Sequence, residues 1–227
     1  MPMFFDSTII LLLPAMLLSM YAQHKVSSTF NKFSRVASSR GLTGVEVARQ
    51  LLAASDIRDV TVESTPGNLT DHYDPRSKTV RLSNSVYNQR SVAALGVAAH
   101  EVGHAIQHNH SYGPLAIRSG LLPAVSLGSK LSMPLLMIGL FMGFAGLFHL
   151  GIILFSFVVL FQLVTLPVEF NASSRAIALL QEQNILSASE AGPAKQVLNA
   201  AALTYVAAAL MSVLNLLRFI MLARGRR

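Results

Sequence analysis

Three long stretches of the sequence contain no Asp, Glu, Lys or Arg. They cover residues 7–24, 131–168 and 196–217, and the middle stretch is 38 residues long. A helix needs roughly 20 residues to cross a hydrocarbon core ~30 Å thick, so the middle stretch predicts two helices joined by a turn near residues 146–151. The pattern predicts four transmembrane helices, at about residues 7–23, 123–145, 149–168 and 197–218.

The first apolar stretch fits either a membrane anchor or a cleaved secretory signal. A secretory signal has a basic N-terminal flank and a cleavage site made of small residues. Here the flank carries Asp6 without any Lys or Arg, and no clean site of that kind follows the stretch. We therefore expect an uncleaved anchor.

Two polar segments remain between the predicted spans. Because an even number of spans separates them, we expect both segments on the same side of the membrane. The predicted organisation is an N-terminal anchor, a polar domain, a transmembrane hairpin, a second polar segment, and a C-terminal helix with a basic tail. In chain order, their expected limits are 1–23, 24–120, 121–168, 169–196 and 197–227.

Helix signals occur at two places in the polar domain. Thr43 is followed three residues later by Glu46, which is a capping box, and the apolar period after it predicts a helix to about Ala54. Ser91 is a suitable N-cap for a second helix, which we expect to continue to about His108.

Strand signals lie between these two helices. Residues 59–63 alternate between polar and apolar side chains, and residues 69–73 and 79–82 flank an Asp-Pro turn, which predicts a hairpin. We expect the second hairpin strand to offer an edge to an extended peptide. The predicted fold class is a mainly α membrane protein, with about four transmembrane helices and a small α+β, zincin-like domain that bears the long helix.

Composition narrows the classes of function. The 227-residue chain has no cysteine, which excludes disulfide scaffolds, thiolate metal sites and thiol nucleophiles. Hydrophobic residues make up 52% of the chain, too large a share for a disordered protein. The net charge is +7, but only 13% of residues are charged, so the dense basic face of a nucleic-acid-binding protein is not expected. We expect a lipid bilayer as the surroundings and no nucleic-acid partner.

The predicted long helix contains the sequence His-Glu-Val-Gly-His at residues 100–104. Residues four apart lie on one helix face, so the imidazoles of His100 and His104 can bind one Zn²⁺ ion. Glu101 lies beside that face, where it can take a proton from water on the ion. Two surface histidines paired by chance are the alternative, and the apolar surroundings disfavour it. The sequence predicts His100 and His104 as zinc ligands and Glu101 as the general base.

A catalytic zinc site needs a third protein ligand and an open position for water. His108 lies ~12 Å from His100 along the helix, too far for one ion. His110 has the spacing of a longer histidine motif, but Gln107 replaces the glycine at which the chain turns in that motif. Glu169 ends the long uncharged stretch, on the side expected for the two histidines. We predict Glu169 as the third ligand, with His110 as the alternative.

An oxyanion formed during hydrolysis also needs a donor. Three residues are candidates by position alone: His72 and Tyr73 on the predicted hairpin, and Arg175 after Glu169. Ordinary hairpin packing is the alternative role for the first two.

Four segments resemble the YugP-type family of membrane zinc metallopeptidases. They are Gly41–Gly44, Leu69–Pro75, Val97–Gln107 and Pro167–Ser173. The resemblance runs from about residue 40 to the last span, and it implies a bacterial-type, multi-pass membrane protein with peptidase activity. The order of the histidine motif, a transmembrane hairpin and Glu-Phe-x-Ala is also similar to HtpX and the CAAX-prenyl endopeptidases. Those proteins carry Asp where this chain has Ser173, so we expect Ser173 or Asn171 to replace it as the partner of a zinc histidine.

Together these signals predict an integral-membrane zinc endopeptidase that binds one Zn²⁺ ion and cleaves a peptide or membrane-protein substrate. A membrane scaffold or regulator with a structural zinc site is the alternative, and in it Glu101 has no use as a base. A metal transporter fits less well because the predicted spans contain few polar residues. The sequence leaves open whether a partner or regulatory protein controls the site.

The charges around the first span predict its orientation. The segment after it carries Lys25, Lys32, Arg35 and Arg40 and no acid, and cytoplasmic flanks are typically rich in Lys and Arg. The three arginines of the C-terminal tail favour the opposite orientation. We give more weight to the first span and expect the active site to face the cytoplasm.

Overall fold

The computed structural model describes residues 7–224. After a 3₁₀-helix at Ser7–Leu12, the described chain forms six α-helices and three strands. In chain order they are α1 Leu13–Phe33, α2 Gly44–Ala54, β1 Thr61–Thr65, β2 His72–Asp74, β3 Thr79–Ser83, α3 Val92–Asn109, α4 Gly113–Phe141, α5 Ala145–Glu182 and α6 Ala188–Arg224.

Four helical segments are long and apolar enough to cross a membrane. They are Thr8–Phe33, Gly113–Phe141, Ala145–Glu182 and Ala188–Arg224. Each includes or overlaps one predicted span, and each continues beyond it into more polar sequence. The fold is that of a mainly α membrane protein with a small α+β part, as predicted.

The chain divides into two compact units. The first, which we call the membrane unit, takes in the N-terminal segment up to Ala22, residues Ala116–Pro167, and the C-terminal segment from Thr204. The second, the site unit, consists of Gln23–Leu115 and Val168–Leu203. Each unit is therefore built from segments that are far apart in the sequence.

The turn between the two middle spans was predicted near residues 146–151, and this prediction is wrong. Residues 142–144 connect α4 to α5, and Gly143 has a φ of +74°, a left-handed conformation that glycine adopts without strain. Gly151 instead lies inside α5, where a Cβ atom would come within 2.7 Å of the Leu136 side chain. At that position glycine allows two helices of the membrane unit to approach closely, and it does not end a helix.

The predicted helix caps of the site unit are confirmed. The Thr43 hydroxyl accepts a hydrogen bond from the Glu46 amide, and the Glu46 carboxylate accepts one from the Thr43 amide at 2.7 Å. The Ser91 hydroxyl accepts a hydrogen bond from the Ala94 amide at 3.2 Å and begins α3. These caps satisfy amide donors that have no partner within their helices.

The three strands form one sheet in the order β1-β3-β2. The predicted hairpin is confirmed as β2 and β3, which pair antiparallel, while β1 pairs with β3 in parallel and starts two residues later than expected. The prediction that the second hairpin strand offers a free edge is wrong. Because β1 binds to its other side, β3 is the central strand, and the edges of the sheet belong to β1 and β2.

One apolar core holds the site unit together. It contains side chains with no exposed surface from α2, α3, β3 and the second half of α5: Leu51, Leu95, Val80, Leu82 and Leu180. The backbones of α3 and α5 approach each other at Gly103, where a Cβ atom would lie 2.8 Å from the carbonyl oxygen of Ala172. A side chain at this position would push apart the two helices that carry the predicted ligands.

Candidate metal centre

The two histidines of the motif lie on one face of α3, as their spacing predicts. The Nε2 atoms of His100 and His104 are 3.2 Å apart, and each side chain is only 13% exposed. The helix that carries them is tightly packed, since Ala98, Ala99 and Val102 have no exposed surface. Two imidazole nitrogens therefore converge at a fixed place on a rigid helix.

Glu169 reaches the same place from α5. It is 2% exposed, and its Oε2 atom lies 3.3 Å from Nε2 of His100 and 3.6 Å from Nε2 of His104. The apolar pattern predicts Glu169 at the start of a separate polar segment, but in the structure α5 continues through it to Glu182 without a break. A continuous helix holds this carboxylate more firmly than a loop would.

The three atoms fit the chemistry of a zinc ion. Neutral imidazole nitrogen and carboxylate oxygen are usual zinc ligands, at about 2.0–2.2 Å. Ligand atoms at the corners of a tetrahedron of that radius lie roughly 3.3 Å apart, and the three observed separations are 3.2, 3.3 and 3.6 Å. Three electron-pair donors that face one another at this spacing suit a cation between them. The assignment of His100, His104 and Glu169 as zinc ligands stays a prediction that this geometry supports.

The second nitrogen of each imidazole also has a partner. Nδ1 of His100 lies 3.1 Å from Oγ of Ser173, and Nδ1 of His104 lies 3.0 Å from Oε1 of Gln107. Such partners orient metal-binding imidazoles and fix their tautomers. Of the two residues expected in this role, Ser173 contacts His100, whereas Asn171 contacts Gln107 instead.

Glu101 is buried beside the two histidines, with 7% of its surface exposed. Burial raises the pKa of its carboxyl group, and the carboxylates of Asp71 and Glu169 raise it further, while the imidazoles of His100 and His104 oppose these effects. The net shift is upward. A carboxylate whose pKa is moved toward neutrality is better suited to accept and return a proton near pH 7.

The surroundings of His104 also favour a positive charge at the centre. Burial by itself lowers the pKa of His104, but its hydrogen bond to the Glu169 carboxylate and the charges of Glu101 and Glu169 outweigh burial, so the pKa is raised. A proton on Nε2 of His104 and a metal ion at the same place compete for the same electron pair.

The alternative histidines lie elsewhere. His110 is the exposed C-cap of α3 and is absent from the one group of candidate metal ligands found among residues 7–224. Nδ1 of His108 lies 2.8 Å from the hydroxyl of Tyr73. Burial, together with the negative charges of Asp59 and Asp74, raises the pKa of this tyrosine to about 12, so the hydroxyl stays protonated at neutral pH.

Each of the three oxyanion candidates has a hydrogen-bond partner of its own. Tyr73 binds His108, one helical turn beyond His104. His72 is exposed on the neighbouring position of β2, with Nδ1 2.9 Å from the Thr70 carbonyl oxygen. The Nε of Arg175 donates a hydrogen bond to Oδ1 of Asn171 at 2.8 Å.

The part that Gln107 plays in this site was not predicted from the sequence, in which Gln107 stands out only as the residue that replaces a turn glycine. In the structure Gln107 is completely buried, and its Nε2 donates to the Val168 carbonyl at 2.8 Å and to Oδ1 of Asn171 at 3.0 Å. These partners lie 61 and 64 positions later in the chain, so no local pattern around the motif points to them.

The chain is similar to a known family and to a known protein. The family described as "Putative neutral zinc metallopeptidase" matches residues 8–224. The "Putative membrane protease YugP" of Bacillus subtilis (strain 168) is 50% identical to the chain over 214 residues, which cover 94% of this chain and 95% of that protein. No solved structure matches the chain.

Proposed function

The chain belongs to the family described as "Putative neutral zinc metallopeptidase", and from this premise we propose that it is an integral-membrane zinc endopeptidase that cleaves membrane-associated or small protein substrates. The observation that carries the proposal is the convergence of two imidazole nitrogens and one carboxylate oxygen at the separations expected around one zinc ion. Three ligands leave one corner of a tetrahedron for water or substrate, as catalytic zinc sites do.

In this proposal His100, His104 and Glu169 hold a single Zn²⁺ ion. When bound, zinc supplies a Lewis acid and lowers the pKa of a coordinated water to about 7. The buried carboxylate of Glu169 offsets part of the ion's charge, and the rigid packing of α3 and α5 keeps the three donors in place. Ser173 and Gln107 keep the two imidazoles oriented.

Glu101 is the proposed general base. Its carboxylate accepts a proton as the water oxygen adds to the carbonyl carbon of the scissile peptide. The same proton then passes to the leaving nitrogen as the carbon–nitrogen bond breaks. Glu101 ends the cycle as it began, and the only net reactant is one water molecule. Tyr73, His72 and Arg175 remain proposals for the oxyanion donor.

The test is the substitution Glu101→Gln in the full-length protein. We expect loss of cleavage of casein, or of the protein itself, by about 10²- to 10⁴-fold, because the amide cannot accept the proton. The bound zinc should stay unchanged, since Glu101 is not a proposed ligand. Glu63→Gln is the matched control, an exposed acid on β1 that pairs with Arg81. Equal cleavage by Glu101→Gln and the parent would contradict the proposal and favour the scaffold with a structural zinc site.

We also propose that the site faces the cytoplasm, which the basic residues after the first span support. Because the chain has no cysteine, one can be introduced at the exposed Ser189 as a unique label. In intact cells a membrane-impermeant thiol reagent should leave Ser189→Cys unmodified until the membrane is opened. Labelling of intact cells would place the site unit outside.

A further inference from the structure

We propose that Gln107 is a positioning residue for the metal centre. Its buried amide holds His104 in the tautomer that can bind a metal, and it joins the helix of the two histidines to the turn of α5 that carries Glu169. This inference rests on the proposed zinc site and adds a residue whose action on that site can be tested without measuring cleavage.

The hydrogen bonds of Gln107 fix which end of its amide faces His104. The atom on the far side lies 2.8 Å from the Val168 carbonyl oxygen and 3.0 Å from Oδ1 of Asn171. A backbone carbonyl oxygen only accepts hydrogen bonds, so the group facing it must be the NH₂ of the amide. Both protons of this group are used, and the oxygen of the amide is left to face the imidazole.

The amide oxygen in turn fixes the proton of His104. Because Oε1 of Gln107 only accepts, the imidazole must donate from Nδ1 across the 3.0 Å between them. When the ring is neutral, its one proton therefore lies on Nδ1 and Nε2 holds the electron pair; Nε2 faces Nε2 of His100 at 3.2 Å and the carboxylate of Glu169 at 3.6 Å. A neutral imidazole in this state is the form that binds a metal through Nε2.

The other end of the amide acts on the opposite side of the centre. Val168 directly precedes Glu169, so the hydrogen bond to its carbonyl holds the backbone of the third proposed ligand. Asn171 is held in its turn, because its Oδ1 also accepts a hydrogen bond from Arg175 Nε at 2.8 Å. A single side chain thus contacts α3 and α5 at the level of the ligands, and the donors are arranged before an ion arrives.

Two substitutions at Gln107 separate this role from a purely structural one. Gln107→Met keeps the length of the side chain but removes the acceptor and both donors. Gln107→Glu keeps an acceptor for the Nδ1 proton of His104 but loses both donors. Its buried negative charge then faces the carbonyl oxygen of Val168 and Oδ1 of Asn171. Stability should therefore fall more in Gln107→Glu, whereas zinc affinity should fall more in Gln107→Met.

Zinc affinity is measured by competition with a chelator, on the full-length protein in detergent, and the thermal stability of the zinc-free protein is measured in parallel. We expect Gln107→Met to bind zinc about 10- to 100-fold more weakly than the parent, and Gln107→Glu to recover about tenfold of that loss. The control is Gln181→Met, the same change at an exposed position of α5, which should alter neither quantity. Zinc affinities that follow the stabilities of the variants would overturn the inference.

A second measurement keeps the inference testable if Gln107→Met does not fold. In the parent protein labelled with ¹⁵N-histidine, the Nδ1 proton of His104 should exchange with solvent slowly, while the ring protons of the exposed His110 exchange fast. Equal exchange would overturn the inference. Absence of zinc binding in the parent would instead contradict the proposed function, and equal zinc binding by parent and Gln107→Met would contradict the role of Gln107 alone.

Discussion

The membrane unit and the site unit bury different kinds of side chain. Nearly all of the large apolar side chains that are exposed in the described chain belong to the membrane unit, the exceptions being Val36, Leu69 and Phe170. In the site unit, by contrast, Leu51, Leu95 and many other apolar residues have no exposed surface. Burial away from water drives folding only where water is the alternative, so the membrane unit gains little by hiding its apolar groups from lipid.

Helices of the membrane unit instead meet through small residues. A Cβ atom on Gly139 would lie 2.5 Å from the Phe148 amide nitrogen, and one on Gly128 would lie 2.6 Å from the Leu154 carbonyl oxygen. Close backbone contact is how helices associate in lipid, where apolar side chains give no preference. The site unit uses the same device at Gly103, where it brings together the two helices that carry the proposed ligands.

The two units also differ in their acidic and buried polar residues. The described part of the membrane unit contains no Asp or Glu. The site unit, in contrast, contains the buried polar side chains of Glu101, Gln107 and Glu169. Buried polar groups are costly unless they are paired. The buried polar residues of the proposed metal centre therefore all lie in the site unit. We expect equivalent substitutions in the two units to change stability and zinc binding by different amounts.

The largest expected effect is on zinc binding. Glu169→Ala removes one of the three proposed ligands. We expect zinc affinity to fall by more than about 100-fold, because loss of a residue that only orients a ligand already costs about 10- to 100-fold. His110→Ala should leave affinity unchanged, because His110 is an exposed cap. Zinc titration of both variants in detergent measures this. The reverse ranking would support the longer histidine motif and remove Glu169 from the site.

The next largest expected effect is on stability, and it compares side-chain packing in the two units. Leu51→Ala removes a side chain with no exposed surface from the site unit and should cost about 2–5 kcal/mol. Leu160→Ala shortens a side chain that is 44% exposed in the membrane unit and should cost far less. Amide hydrogen exchange reports the local stability around each residue. Equal costs would show that the two units are packed by the same forces.

The smallest effect concerns the glycines. Gly103→Ala places a methyl group 2.8 Å from the Ala172 carbonyl oxygen, so α3 and α5 must move apart, at a cost of about 1–3 kcal/mol. Gly120→Ala in α4 meets nothing within 4 Å and should be neutral or slightly stabilising. Thermal melting of the zinc-free protein compares them. If Gly103→Ala melts like Gly120→Ala, the close approach of the ligand helices is not required.

Local signals in the sequence predicted the parts of the fold that depend on neighbouring residues. The capping box at Thr43, the cap at Ser91 and the pairing of β2 with β3 each involve residues a few positions apart, and all three are confirmed. The spacing of His100 and His104 belongs to the same class. These features could be read from the chain because the contacts that make them are local.

The misplaced features depend on contacts between distant residues or on a change of surroundings. Apolarity ends at Glu169, and the predicted span ends with it at residue 168, but the helix continues to Glu182, just before Asn184 with its φ of +51°. The central position of β3 follows from its parallel pairing with β1, which the sequence of neither strand indicates. The contacts of Gln107 likewise lie on another helix.

The central claim is that Glu169 completes a zinc centre with His100 and His104. Anomalous diffraction at the zinc edge, from crystals of the zinc-loaded full-length protein, tests it most directly. The account predicts one anomalous peak at about 2.0–2.2 Å from Nε2 of each histidine and from a carboxylate oxygen of Glu169. A peak bound to the two histidines with His110 as the third ligand, or no peak between them at all, would contradict it.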